Sequence, residues 1–149
     1  MAVRWRLRDA TEEERGVLFA LHRSAMRSYV EATWGLWDDS WQADHFFETF
    51  SAARWCVIEV NRAIAGMVSW EETPDEIFLA SIEIHPEFQR RGIGTAVVQS
   101  LAEDARAVGK PLTLRVLHAN ERARRLYERL GFEPVQDTET HAYLRLSYE

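Results

Sequence analysis

In the stretch Ile82 to Val98, IEIHPEFQRRGIGTAVV, two arginines, Arg90 and Arg91, stand directly before Gly92 and Gly94. Glycines where a strand hands over to a helix let the backbone turn sharply and let a ligand approach with no Cβ in the way. The first N–H groups of a helix lack intrahelical partners, and with the helix dipole they favour phosphate oxygens. Residues Arg90, Arg91, Gly92, Ile93, Gly94 and Thr95 therefore read as a pyrophosphate cradle. A Walker loop needs Gly-Lys-Ser/Thr, and Gly94 is followed by Thr95 with no lysine. A dinucleotide fingerprint needs a third glycine where Val97 stands. An ordinary helix start with a glycine turn is the alternative.

A cradle of this kind needs elements to hold it. Val3 to Arg8 alternates as a first strand. Asp9 or Thr11 caps a helix running to about Val30, with Val17, Leu18, Leu21, Ala25 and Tyr29 as its apolar stripe. The segment EATWGLWDDSW then interrupts, and Asp38 to Ser40 cap a second helix carrying Trp41, His45, Phe46 and Phe50. Arg54 to Val60 and Ala63 to Glu71 form a hairpin about Asn61-Arg62, and Glu76 to Ile84 is a third strand after it. Ile93, Val97, Leu101, Ala105 and Val108 mark a long helix, about Gly92 to Val108, stopped by Gly109 and Pro111. Leu112, Leu114 and Val116 alternate in a strand, and Asn120 caps a short helix with Ala123, Leu126, Tyr127 and Leu130 inward. Phe132 to Val135 and Ala142 to Leu146 finish as strands. The order β-α-α-β-β-β-α-β-α-β-β predicts a mixed α/β (α+β) sheet of about seven strands with helices on both faces.

The 149 residues fit one domain, 1–149, and 46% hydrophobic residues suffice for a packed core. No apolar run approaches the ~18–20 residues of a membrane span. The start, MAVRWRLRDA, is charged where an export signal needs an apolar block, so a cytoplasmic protein is expected. The net charge of −6 argues against a nucleic-acid surface. Cys56 is the only cysteine; inside RWCVIEV it reads as an inert core thiol. Nothing calls for a metal.

The spacing Gln89-x-x-Gly92-x-Gly94, after IEIHPEF, resembles the acetyl-CoA signature of the GNAT family of N-acetyltransferases. The segment NERARRLYERLGF, Asn120 to Phe132, resembles that family's second conserved segment. The resemblance covers nearly the whole chain. It implies a mostly antiparallel sheet splayed at a cofactor cleft, with acetyl-CoA as co-substrate. On it, backbone N–H groups from Arg90 to Thr95 hold the pyrophosphate. Ile84 offers its N–H to the thioester oxygen, where a fixed donor helps most as negative charge develops. The pantetheine arm pairs near Ile82 and Ile84, Asn120 contacts that arm, and Tyr127 protonates the departing thiolate. A phenol titrates near pH ~10 and keeps its proton at neutral pH. Without the family, Tyr127 reads as a core aromatic and Asn120 as a plain cap. Arg122, Arg124 and Arg125 are read as mostly a solvated helix face, with the cofactor's outer phosphate as the other reading.

The implied reaction is direct attack of a neutral amine on the thioester, so a base is needed. Glu83 is the first candidate: an acidic residue at the end of a central strand is unusual unless paired or functional. Glu31 and His85 rank behind it. The acceptor site is expected between the first two helices, where Tyr29, Trp34, Trp37 and Trp41 surround Glu31, Asp38 and Asp39. Aromatic faces with carboxylates suit a cationic amine. Trp34, beside Gly35, is the better pocket residue, and Trp41 is read as core. The partners expected are acetyl-CoA and a small-molecule amine, with no nucleic acid and no membrane; a homodimer is compatible with the sequence. Acetylation of a protein N-terminus or lysine, and acyl-CoA sensing without turnover, are the alternatives.

Overall fold

A computed structural model describes residues 3–148. Seven strands form one sheet: β1 (Arg6–Asp9), β2 (Cys56–Val60), β3 (Ala63–Glu72), β4 (Ile77–Ile84), β5 (Leu112–Leu117), β6 (Glu133–Asp137) and β7 (His141–Leu146), in the spatial order β1-β2-β3-β4-β5-β7-β6. The helices are α1 (Arg15–Trp34), α2 (Asp39–Thr49), α3 (Ile93–Ala107) and α4 (Glu121–Arg129). Pairing is antiparallel for β1·β2, β2·β3, β5·β7 and β6·β7, and parallel for β4·β5, where Ile77, Phe78 and Leu79 face Leu112, Thr113 and Leu114. This is the expected mixed α/β order. Among the described residues no helix is long and apolar enough to cross a membrane.

The chain divides into two compact units, Met1–Ser69 with Ser81–Gly94, and Trp70–Ala80 with Thr95–Glu149. The first has a core of Leu18 and Leu21 from α1 with Val57 and Met67 from the hairpin, and Phe46, Phe50 and Trp55 pack against it. Both hairpin-turn residues, Asn61 and Arg62, take positive φ of 51° and 67°, as a tight two-residue turn requires. In the second unit Val97, Val98, Leu101 and Ala105 of α3, Leu112 and Leu114 of β5, and Ala142 and Leu144 of β7 are almost fully buried.

Helix ends obey local chemistry. Asp38 accepts from Trp41 N at 3.1 Å and starts α2. Lys110 N reaches back to Ala105 O at 3.0 Å across Gly109, which takes φ of 70° and stops α3. Three expectations are corrected. Helix α1 does not stop at Val30: Glu31, Ala32, Thr33 and Trp34 continue it, and Gly35, at φ of 100°, is the first residue able to end it. Val17 and Val108 are exposed, at 51% and 54%, and do not belong to the apolar stripes. Trp41 is 58% exposed and stacks on His45 at 5.1 Å, so it is not core.

The β2·β3 register slips between Ile58 and Glu59, which leaves Ala65 as an extra residue between Ile64 and Gly66. Such a bulge re-aims the backbone. The freed Ala65 carbonyl accepts from His85 N at 2.8 Å and ties down the end of β4. Beside it, a Cβ on Gly66 would stand 2.5 Å from the Glu83 carbonyl oxygen. Gly66→Ala should therefore displace β4 and cost about 1–3 kcal/mol, as overpacking does. The urea midpoint measures this, and an unchanged midpoint would refute the close approach.

Candidate active site

In the first unit, β4 ends at Ile84 and a single 3-10 turn, Pro86–Phe88, follows. Pro86 supplies a preset φ at the start of that turn, and His85 Nδ1 accepts from Glu87 N at 3.1 Å. His85 thus works as a cap. Gln89 Nε2 donates to Ile84 O at 2.9 Å, folding the loop back onto the strand end. The Arg91 guanidinium lies 5.2 Å over the Phe88 ring. Arg90 takes φ of 65° and Gly92 takes 79°. A non-glycine residue in that region is uncommon, so the surrounding contacts hold this bend against its local cost.

The two glycines serve different needs. Gly92 has open space where its Cβ would be but requires its positive φ. Gly94, in the first turn of α3, has no such φ, and its Cβ would meet only Ile84 Cγ1, at an ordinary 3.8 Å. The protein itself therefore does not require glycine at position 94. The amides of this first turn lack partners within the helix.

Successive strand residues point to opposite faces. Ile84 faces the start of α3, as its contact with position 94 shows, and Glu83 faces α1. Among the described residues Glu83 is the only charged one that is fully buried, at 4% exposure. Its Oε1 is hydrogen-bonded to His22 Nδ1, and its Oε2 accepts from Ser81 Oγ at 3.3 Å. Burial on its own would lower the His22 pKa; the hydrogen bond and charge of Glu83 outweigh it and raise the value above the ordinary 6.5. The Phe19, Trp37 and Phe46 rings pack around the imidazole, at 6.5, 5.9 and 5.7 Å between centroids.

Sequence reasoning missed His22. The available signal was a histidine on the apolar face of α1, four residues after Leu18 and three before Ala25.

The residues expected to bind the acceptor lie on the last turns of α1 and just beyond. Tyr29 is half-buried and Trp34 is 61% exposed. Trp37 is buried, stacked on Phe19 at 6.5 Å, and its Nε1 donates to Asp39 at 2.9 Å. The carboxylates are engaged. Glu31 meets Arg27 at 3.4 Å and accepts from Trp37 N at 3.3 Å, Asp38 caps α2, and Asp39 meets Arg23 at 3.1 Å. Cys56 is half-buried on β2. Burial, with a smaller push from Asp9, raises its pKa, so it stays a thiol.

In the second unit, Asn120 Oδ1 accepts from Ala123 N at 3.2 Å and starts α4. Tyr127 is 8% exposed and meets Phe132 edge-on at 5.6 Å. No described residue accepts a hydrogen bond from its hydroxyl. Burial pushes its pKa up to about 12. Arg124 pairs with Glu128 at 3.7 Å along the helix.

Residues 18–132 match the acetyltransferase (GNAT) family, and the chain belongs to that family. Over 144 residues it is 29% identical to an uncharacterized N-acetyltransferase of Methanocaldococcus jannaschii, an alignment covering 85% of this chain and 60% of that one. Over 85 residues it is 38% identical to the thialysine N-epsilon-acetyltransferase of Bos taurus, covering 56% of this chain and 49% of that one. The aligned regions thus span 60% and 49% of those relatives' own lengths. The fold is similar to that of the PaiA N-acetyltransferase from Thermoplasma acidophilum in complex with coenzyme A. The TM-score is 0.78 over 97% of this chain and 99% of that one, at 13% identity, which bears on the fold alone.

Proposed function

We propose that this chain transfers the acetyl group of acetyl-CoA to a primary amine of a small molecule, in the cytoplasm, with residues 1–149 acting as one domain. The family match runs through both units, which supports the single-domain reading. The observation that carries the proposal is Gly94, a glycine its own structure does not require, at the head of a helix in the matched region.

Each residue then has a task. Amides from Arg90 to Thr95, Ile93 included, bind the pyrophosphate, and the Arg90 and Arg91 charges assist. Gln89 holds the strand end through Ile84 O. The backbone of Ile82 and Ile84 pairs with the pantetheine arm, and Asn120 donates to it. The bound thioester supplies a carbonyl carbon that an amine lone pair attacks as the C–S bond breaks. Ile84 N–H steadies the carbonyl oxygen as charge builds. Tyr127 donates its proton toward the departing sulfur, and Glu83 supplies the negative charge that draws a proton from the ammonium. Tyr29 and Trp34 offer ring faces to the acceptor beside Glu31.

The exposed Leu36 (95%), two residues after Trp34, favours a second reading, a peptide acceptor presenting an N-terminus or a lysine. Thiol release from acetyl-CoA, followed across polyamines, amino-acid derivatives, aminoglycosides and peptides, tests both. Small cationic amines should turn over fastest. Faster peptide turnover would move the acceptor class, and no release with any amine would leave an acyl-CoA sensor.

A further inference from the structure

The carboxylate–imidazole pair of β4 and α1 is asymmetric. The Glu83 side chain is sealed, at 3% exposure, while that of His22 is 25% exposed. Both Glu83 oxygens are engaged, one by His22 Nδ1 and one by Ser81 Oγ. His22 Nε2 meets no hydrogen-bonding partner among the described residues, and no buried side-chain nitrogen or oxygen among them lacks one, so Nε2 reaches solvent-accessible space. A buried carboxylate on Nδ1–H fixes the tautomer and leaves the Nε2 lone pair outward.

We propose that His22 Nε2 is the atom that takes the proton from the acceptor ammonium, and that Glu83 acts through it as the positioning residue. The assignment rests on the acetyl-transfer reading and names its base. A solvent-accessible, correctly held lone pair can receive a proton; a sealed carboxylate with both oxygens occupied cannot be reached by one.

The surroundings support the role. Glu83 is the charged group facing the imidazole from β4. From α2 and the segment before it, Phe46 and Trp37 face it with rings alone. On α1 itself Phe19 is a neighbour, and the next charge, Arg23, is paired with Asp39 of α2. The negative partner raises the imidazole pKa and so makes it a better base than free histidine. Tyr29 follows His22 by seven residues on the same helical face, about 10 Å along the axis. One stripe of α1 thus carries both the proton acceptor and a ring proposed to hold the amine.

The proton balance closes. Of the ammonium's three protons, one stays on the amide, one passes to His22 Nε2 and on to water, and one ends on the coenzyme A sulfur by way of Tyr127. The imidazolium left after the first transfer is neutralised by Glu83 until it discharges.

Rising pH should switch activity on. The base must be unprotonated, and its folded pKa lies above the ordinary value, so kcat/KM climbs through an apparent pKa above 6.5. In Glu83→Gln this limb should move to lower pH with the same amine, because the charge that holds the proton is gone. In His22→Gln, which keeps a donor toward Glu83, kcat should fall roughly 100-fold with the acetyl-CoA KM unchanged. In His22→Ala added imidazole should restore turnover. Nitrogen-15 NMR of the His22 ring, read above its pKa, should show hydrogen on Nδ1 and a bare Nε2. Wild-type kcat and an unmoved pH limb in His22→Gln, or hydrogen on Nε2, would overturn the assignment. If the wild-type protein turns over, only the assignment falls. If it releases no thiol with any amine, the acetyl-transfer reading itself fails, while the tautomer measurement still reports on the ring.

Discussion

Gly94→Leu should leave the fold intact, raise its stability slightly, and weaken coenzyme A binding roughly 100-fold. The first two effects follow from the position. Residue 94 lies in the first turn of α3, without positive φ, and its Cβ would touch only Ile84 Cγ1 at 3.8 Å. Glycine in a helix costs about 0.8–1 kcal/mol against a good helix former, so leucine should help the free protein by up to that amount. The loss of binding has another origin. Hydrogen bonds from backbone N–H to a charged group contribute about 1.5–3 kcal/mol each. A leucine side chain over the turn keeps phosphate oxygens from at least one such donor, and about 2.7 kcal/mol corresponds to 100-fold. Calorimetry with coenzyme A, set beside thermal unfolding of the same variant, separates the two effects. Unchanged affinity would remove the cradle. Lost affinity accompanied by a lowered Tm would mean that the glycine serves the fold instead.

What the sequence discloses and what it conceals follow from the range of the interaction. Strand alternation, the spacing of Val97, Leu101 and Ala105, the caps at Asp38 and Asn120, and the stops at Gly109 and Gly131 are local, so they are legible from neighbours along the chain. The extension of α1 through Trp34 was legible in principle. Glu31 and Ala32 are good helix formers and nothing before Gly35 breaks the pattern, but the cluster of tryptophans and aspartates reads as an insert. Trp41 shows the opposite failure: it stands five residues before Phe46, about 140° round the helix, so when Phe46 packs on the core Trp41 faces outward, and Trp37 is the tryptophan buried against α1.

The partner of Glu83 was illegible for a deeper reason. His22 lies 61 residues away in the chain and meets Glu83 only because α1 packs on the face of β4 that carries it. Gly66 belongs to the same constraint. Its missing Cβ lets β3 run close against the Glu83 carbonyl, the neighbouring bulge carbonyl at Ala65 holds His85, and Gln89 clasps Ile84. Ala65 and Gly66, which carry no chemistry of their own, thus help fix the end of β4. Single-sequence patterns mark these two as unremarkable strand residues, since what they do is defined by long-range contact alone.

Tyr127→Phe should lower kcat roughly 100-fold while leaving the acetyl-CoA KM and the melting temperature near wild type. The ring is retained, so its edge-on packing against Phe132 persists. The hydroxyl donates to no described residue, so its removal breaks no internal hydrogen bond. What disappears is a proton donor, and positioned acids contribute about 10²–10⁴-fold. With a pKa pushed up to about 12, the phenol stays protonated throughout neutral and mildly alkaline solution. Its sign is that of an acid, useful below its pKa and lost above it, so Tyr127 should impose no falling limb between pH 6 and about 10. The same shift limits how it acts. A free thiol titrates near ~8.5, well below this phenol, so handing a proton completely from the phenol to a thiolate runs uphill. The phenol therefore acts chiefly by donating a hydrogen bond to the sulfur as negative charge builds on it during C–S cleavage. An acetyl donor with a more acidic leaving thiol should therefore depend less on Tyr127, and the kcat gap between wild type and Tyr127→Phe should narrow with it. Equal turnover by the two proteins with acetyl-CoA would remove the acid role, and a gap independent of the leaving group would assign the hydroxyl to positioning instead.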